Sequence, residues 1–421
     1  MSRRWWAVLV VAVLAAAAVT VGIATSRAQG SATSLRPISA AKLLARVAGA
    51  AKTMTAVSGD VSWSNGLIPG SDLTGLLSGQ GSAPTSLSGL ALGGSARLWF
   101  QQGSGLRLES QGSGSDFVVV AGKSGIWSYS SANSTATHYA QLPVASAAAS
   151  SGPRPQTSPS DLLAAITAGL QHFASTGTAT MSGQATVAGE PSYLLTMTPT
   201  SATTTVGSVR VAIDAKTFVP LRVQVFAKGD TTPALSAGFT SVSYGRLSDS
   251  LFAFTPPSGV TVHEQALPSP QSLFGGATAA KPATHRPLTL AQATAKAGSY
   301  GLTLAVPQRS GLPSALPFAG ATVTAPTKAH AATAVLHYGA EFGSVVLVES
   351  QGVSSQSAGL RQQIAHLPRG LVTTTTIAGA PGYELQTPLL NIAAWRHGTI
   401  TAAAAGPVPQ ALLGQFLAAI H

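Results

Sequence analysis

The chain has 421 residues, of which 9% are charged against about 25% in typical globular proteins, and its formal net charge is +11. The basic residues are scattered singly, with no Lys/Arg cluster interleaved with aromatics, which excludes a nucleic-acid-binding surface. Cysteine is absent, so neither a disulfide framework nor a lipid-modified cysteine anchor is available, and the length suits two ordinary domains.

At the N-terminus Arg3 and Arg4 precede WWAVLVVAVLAAAAVTVGIA, an uncharged run from Trp5 to Ala24. As a helix this run is roughly 30 Å long, enough to cross the hydrocarbon core of a bilayer. The arginines hold their end in the cytoplasm and send the rest of the chain outside. The small-residue stretch before Gln29 also reads as a cleavage site. Residues 1–28 are therefore a signal anchor or a signal peptide, and the body is held at the cell membrane by one N-terminal span or is secreted.

From Ser39, SAAKLLARVAGAAKTM predicts a short helix with Leu43, Leu44 and Val47 on one face. The period then changes to two in AVSGDVSWS, and a Gly/Ser/Leu-rich loop spans Gly66 to Gly94. ARLWFQQ, GLRLESQ, DFVVVAG and SGIWSYSS follow as short runs separated by glycines, the pattern of a meander of hairpins. A polar stretch leads to SPSDLLAAITAGLQHF, where Ser158, Pro159 and Asp161 mark a helix start. Strands resume with GTATMSGQATVAGEPSYLLTMTP. A hairpin follows in VGSVRVAIDAKTFVPLRVQVFAKG, its turn running from Asp214 to Thr217, and ALSAGFTSVSYG adds another strand before PPSG.

Residues 263–286, rich in Pro, Ala and Gly without periodicity, read as a linker. Beyond it, residues 287–421 predict a helix at LTLAQATAKAG, strands at ATVTAP, ATAVLHYG and GSVVLVESQ, and a terminal helix at PQALLGQFLAAI. They are expected to fold apart from residues 39–262. TVAGEPSYLL from Thr186 and TIAGAPGYEL from Thr376 nearly repeat. Both read as strand, tight turn, strand, in two hairpins of two different domains.

Catalytic constellations are missing by type. There is no zinc helix with paired histidines, and His330 and His337 fall at opposite-parity positions. AGKSG at Ala121–Gly125 lacks the earlier glycine of a phosphate loop, Phe117 standing in its place, and reads as a hairpin turn. No Gly-x-Ser-x-Gly elbow occurs. The chain is accordingly read as no enzyme, with no cofactor and no metal.

The stretch from about Leu43 to Val262 resembles the LolA/RseB-like envelope proteins, in particular actinobacterial members that carry an N-terminal signal or anchor. The resemblance rests on LLARVAGAAKTMTAVSGDV, LSGLALGGSARLWFQQGSGLRLES, VVVAGKSGIWSYSSANSTATHY, VAGEPSYLLTMTP, GSVRVAIDAKTFVPLRVQVFAKG and FTSVSYGRLSDSLFAFTPPSG, about half the chain, with the Asp-x-x-Thr-x-x-Pro-Leu turn at Asp214 its most specific part. It implies an α+β fold in which an unclosed antiparallel β-barrel, a half-barrel, wraps around helices and encloses an apolar cavity. It also implies a non-enzymatic role: binding the acyl chains of lipids or lipoproteins, or sensing them as an extracytoplasmic regulator of a sigma-factor pathway through contacts with a membrane protein. Where relatives often carry an acid before the Gly-Lys turn, this chain has Ala121. LPFAGATV, LHYGAEFGSVVLVES and IAGAPGYEL resemble small α+β domains attached to other bacterial envelope proteins, and a large domain followed by a smaller one is also the RseB layout.

On alternating strands, side chains two apart share a face. Val57, Val61 and Trp63 form one apolar set and Leu106 with Leu108 another. Tyr193, Leu195 and Met197, then Val209, Val211 and Ile213, then Leu221, Val223 and Val225 continue the series. Leu98, Phe100, Trp127 and Tyr129 join them. Such residues ordinarily make a packed core; as a binding cavity they would all face inward and enclose more space than their own atoms fill.

Overall fold

The structure, a computed structural model, describes residues 35–67, 93–112, 115–123, 125–140, 176–266, 287–308, 310–326, 331–351 and 372–420. The run Trp5–Ala24, the helix expected from Ser158 and residues 267–286 lie outside them. Among the described residues no helix is long and apolar enough to cross a membrane.

Helix α1 (Ala40–Thr53) begins where Ser39 caps it, its hydroxyl accepting from the Lys42 N–H. The chain ahead of the helix is fastened down. Leu35 exchanges two hydrogen bonds with the Gln184 amide, and the Tyr193 hydroxyl donates to the Arg36 carbonyl at 2.9 Å. Met54 and Thr55 then lead directly into β1 (Ala56–Asn65).

A meander of β2 (Gly93–Gln101), β3 (Gly105–Gly112), β4 (Ser115–Gly122), β5 (Gly125–Ser130) and β6 (Thr135–Ala140) grows from one side of β1. A second meander, of β7 (Gly177–Val187), β8 (Glu190–Pro199), β9 (Val206–Asp214), β10 (Pro220–Ala227) and β11 (Pro233–Phe239), returns to pair with its other side. The short β12 (Ser243–Tyr244) also pairs with β1. The sheet has 13 strands and stays unclosed, with β7 at one end and β13 (Thr261–Ala266) at the other.

β13 corrects the expected boundary at 263. The PPSG segment does not end the sheet; it turns the chain so that Thr261–Ala266 runs parallel to β6. Glu264 there meets His138 at 2.9 Å.

The repeated decapeptides occupy hairpin turns. Ala188 and Gly189 between β7 and β8 have φ of 54° and 85°, and Ala378 and Gly379 have 49° and 73°. Two consecutive left-handed residues make the turn whose twist suits a two-residue hairpin, and glycine at the second position lowers its cost.

The second body is a seven-stranded antiparallel sheet in the order β14 (Phe318–Thr324), β15 (Thr333–Tyr338), β16 (Val345–Gln351), β20 (Ile400–Gly406), β19 (Asn391–His397), β18 (Ala380–Gln386), β17 (Val372–Ile377). Helix α2 (Leu290–Gly298) starts with a capping box of Thr289 and Gln292 and buries Ala293 and Ala297. Helix α3 (Gln410–Ala418) buries Leu413, Phe416 and Leu417, with Phe416 edge-on to Tyr338 at 4.9 Å.

The two bodies have separate cores but touch. The Thr205 N–H donates to the Pro407 carbonyl at 2.8 Å and its hydroxyl to the Leu389 carbonyl at 2.7 Å. Leu389 is buried with Val206, Ala227, Ala234 and Leu235, and Phe342 packs against the same group.

The core of the first body is the seam between α1 and β8–β9, where Leu43, Leu195, Met197, Val211 and Ile213 are all fully buried. Leu195→Ala should therefore lower unfolding stability by about 2–5 kcal/mol. Urea denaturation checks this, and a loss below about 1 kcal/mol would show that α1 is not seated there.

Candidate functional site

Residues paired directly across an antiparallel ladder share a face, so the register decides which apolar sets belong together. The pairs Leu195–Val211, Val211–Val223, Val223–Ala237, Ala237–Trp63 and Trp63–Gly94 carry one face from β8 to β2. Leu98–Leu108, Leu108–Val119 and Val119–Ser128 carry it on to β5. This is the face that bears α1.

Tyr193, Leu195, Met197, Val209, Val211, Ile213, Val223 and Val225 lie together on it, under or beside the helix. This half is filled by α1 rather than hollow. Val61 and Trp63 lie on the same face with Ala96, Leu98 and Leu108, and Val57 stands opposite Phe100, both buried. The Trp63 ring has room because Gly94 faces it, where a Cβ would come within 3.3 Å of the indole.

Three expected members are elsewhere. The register slips between Pro220 and Arg222, so Leu221 packs with Val187, Ala212 and Val219 instead of with Val223 and Val225. Trp127 and Tyr129 flank Ser128 and so point to the opposite face. There Trp127 stacks on His138 at 4.3 Å and Phe254 tilts against both aromatics.

In their place the register brings Phe117, Val119 and Ile126 to the α1 face, none of them in the expected set. The signal that could have found them is the tight turn joining Gly122 to Gly125, which sets Val120 opposite Trp127 and Ala121 opposite Ile126. Leu98, Leu106, Leu108, Phe117, Val119 and Ile126 are all only half-buried, like Val223 and Val225 of β10 and in contrast to the fully buried Leu195, Met197, Val211 and Ile213 under α1. On this face the side chains of β8 and β9 under α1 are sealed, whereas on β2–β5 a strip of half-buried apolar side chains runs beside the buried Ala96, Phe100 and Ser128.

A cleft of about 600 Å³ opens where α1 gives way to β1, lined among others by Arg46, Thr53, Met54, Lys216, Phe218 and Tyr244. Its floor is the β9–β10 turn. Asp214, buried, accepts from the Lys216 N–H and the Thr217 hydroxyl, both at 2.7 Å, and from the Tyr244 hydroxyl at 2.6 Å. The first two of these bonds explain the Asp-x-x-Thr spacing, since the carboxylate holds the turn shut while Phe218 takes a left-handed φ of 59°. Burial, and then the hydrogen bond to Asp214, push the Tyr244 phenol well above its ordinary value, so it stays a neutral donor. The Arg46 guanidinium lies 5.3 Å over the Phe218 ring. Among the described residues no group of three His, Cys, Asp or Glu side chains could hold a metal ion.

No family model matches the sequence, and no curated protein matches it. Solved structures do. One of MucB in complex with MucA is 13% identical, with a TM-score of 0.44 over 91% of this chain and 98% of that one. The MucA/MucB complex of Pseudomonas aeruginosa is 14% identical, with a TM-score of 0.40 and the same coverage. A LolA superfamily protein of Nitrosomonas europaea is 11% identical, with a TM-score of 0.20 over 52% of this chain and 99% of that one. The structural neighbours include MucB and a LolA superfamily protein.

The Asp214 cluster predicts an ordering of variants. Asp214→Ala strands three donors and should cost about 2–4 kcal/mol, while Tyr244→Phe, which removes one, should cost about 1 kcal/mol. Denaturant titration of both checks it, and equal costs would mean that Asp214 does not organise the turn.

Proposed function

We propose that the protein is a non-enzymatic binder of acylated ligands, lipids or lipoproteins, working on the outer side of the cell membrane. The observation that carries this reading is the half-buried strip Leu98, Leu106, Leu108, Phe117, Val119 and Ile126, which continues the dry core on the same sheet face. Each CH₂ that such a surface takes out of water contributes about 0.8 kcal/mol. Ten of them contribute roughly 8 kcal/mol, the order of a micromolar Kd before ordering costs are met. An alkyl chain therefore needs no polar anchor there, and the absence of a catalytic constellation in the sequence costs the reading nothing.

A second reading is favoured by the fastening of the two bodies at Thr205, Leu389 and Phe342. In it the protein is an extracytoplasmic sensor of a sigma-factor pathway, the strip being its input and contacts with a membrane regulatory protein its output. The two readings share the binding step and differ in the step after it. Transfer of a bound lipid to acceptor vesicles favours the first. A complex with the outer segment of a membrane protein that forms or breaks with lipid favours the second.

Filling the strip tests the shared step. Leu108→Trp should leave the melting temperature within a few degrees of the parent, because the side chain is half-buried, and should weaken binding of a fluorescent fatty acid at least tenfold. Undiminished uptake by the folded variant would remove the strip as the binding surface. Leu195→Trp serves as the contrast: in the filled half it should destabilise by about 1–3 kcal/mol.

A further inference from the structure

In the second body one carboxyl is shut away from water. Glu349 on β16 is fully buried, on the core side of the sheet between Ala334 of β15 and Ala402 of β20. One oxygen, Oε1, accepts the Ala305 N–H at 3.0 Å. The other, Oε2, has no hydrogen-bond partner. Beyond Ala402 on the same face stands Trp395, whose indole Nε1 is likewise buried and without a partner. A lone ionised carboxylate in such a place is strongly disfavoured, and a neutral carboxyl is tolerated.

Nothing charged on the described elements around it offsets this. Tyr338 on β15 is a buried phenol, held neutral by burial and by the nearby carboxyl. His337 on β15 points to the other face of the sheet, as its neighbours Leu336 and Tyr338 are the buried ones. Lys296 of α2, and Arg396 and His397 at the end of β19, are exposed. β20 carries no titratable side chain along its length. Burial therefore dominates and raises the Glu349 pKa to about 7, with the Ala305 N–H pulling in the opposite direction.

We propose that Glu349 and the Leu304–Ala305 segment form a proton-operated latch in the second body. With the proton on, the carboxyl stays in the core and the segment between α2 and β14 lies down on β16, tied by the Ala305 N–H and by Leu304, itself part of the core. With the proton off, the carboxylate draws water into the core and the segment lifts. The folded-state pKa is raised, so the stabilisation is complete below the ordinary glutamate range and is lost as pH rises through about 7. On an exported protein the latch would respond to the acidity outside the membrane. β16 is also the strand that comes directly after the Phe342 turn, where the second body meets the first.

The test is hydrogen exchange at the Ala305 amide in the whole protein, corrected for the intrinsic pH dependence of exchange. Protection should fall at least tenfold between pH 6 and pH 8 in the parent and should stay level in Glu349→Gln, which keeps the shape and removes the titration. Equal protection at both pH values in the parent, or an equal fall in Glu349→Gln, overturns the latch. If Glu349→Gln does not fold, the infrared band of a protonated carboxyl decides on the parent alone. Its presence at pH 6 and loss by pH 8 supports the latch, and its absence at pH 6 overturns it.

Discussion

Every side-chain face in the larger sheet is phased from β1, because that strand is paired on both sides. On one side Val61 meets Ala96, a local partner; on the other it meets Phe239, after the chain has travelled through nine further strands. An antiparallel register shifted by one residue at either pairing would turn an entire meander inside out. Gly59 fixes the second pairing closely, since a Cβ there would come within 2.0 Å of the Ser241 carbonyl oxygen. α1 feeds into the same strand through two residues, so the helix is placed over β8–β10 by the strand that sets their phase.

From that phasing comes the division of one apolar face into two halves. Where α1 lies, leucine, methionine and isoleucine side chains are sealed at interior packing. Further along, on β2–β5, comparable side chains remain half-open to their surroundings. The Asp214 turn joins two strands of the half that lies under the helix. Its three donors hold a sharp reversal in which Phe218 is left-handed, and that reversal supports Arg46 at the end of the cleft.

Much of this fold is legible in the sequence where local physics decides. Ser39 marks the start of α1, the two Ala-Gly turns mark their hairpins, and Thr289 with Gln292 starts α2, all through bonds or backbone angles internal to a few residues. Sequence and structure part where partners are distant or a register slips. β13 joins β6 across more than a hundred residues, and a parallel edge leaves no periodic mark of its own. The bulge at Pro220–Arg222 moves Leu221 out of a set that plain alternation gives it. Size alone groups Trp127 and Tyr129 with the inward set, whereas the phase of the Gly122–Gly125 turn sends them to the other face. Thr205, which ties the two bodies together, is one polar residue in a threonine-rich stretch and has no pattern to announce it.

The central claim is that the half-open part of this face holds an acyl chain. Native mass spectrometry of the protein gently released from its expressing cells tests it most directly. The account predicts that the protein carries additional mass which is removed by organic extraction, fragments as an acyl-bearing lipid, and is restored when the stripped protein is offered lipid vesicles. A protein of bare sequence mass that takes up no lipid when offered it, while remaining folded, would contradict the account.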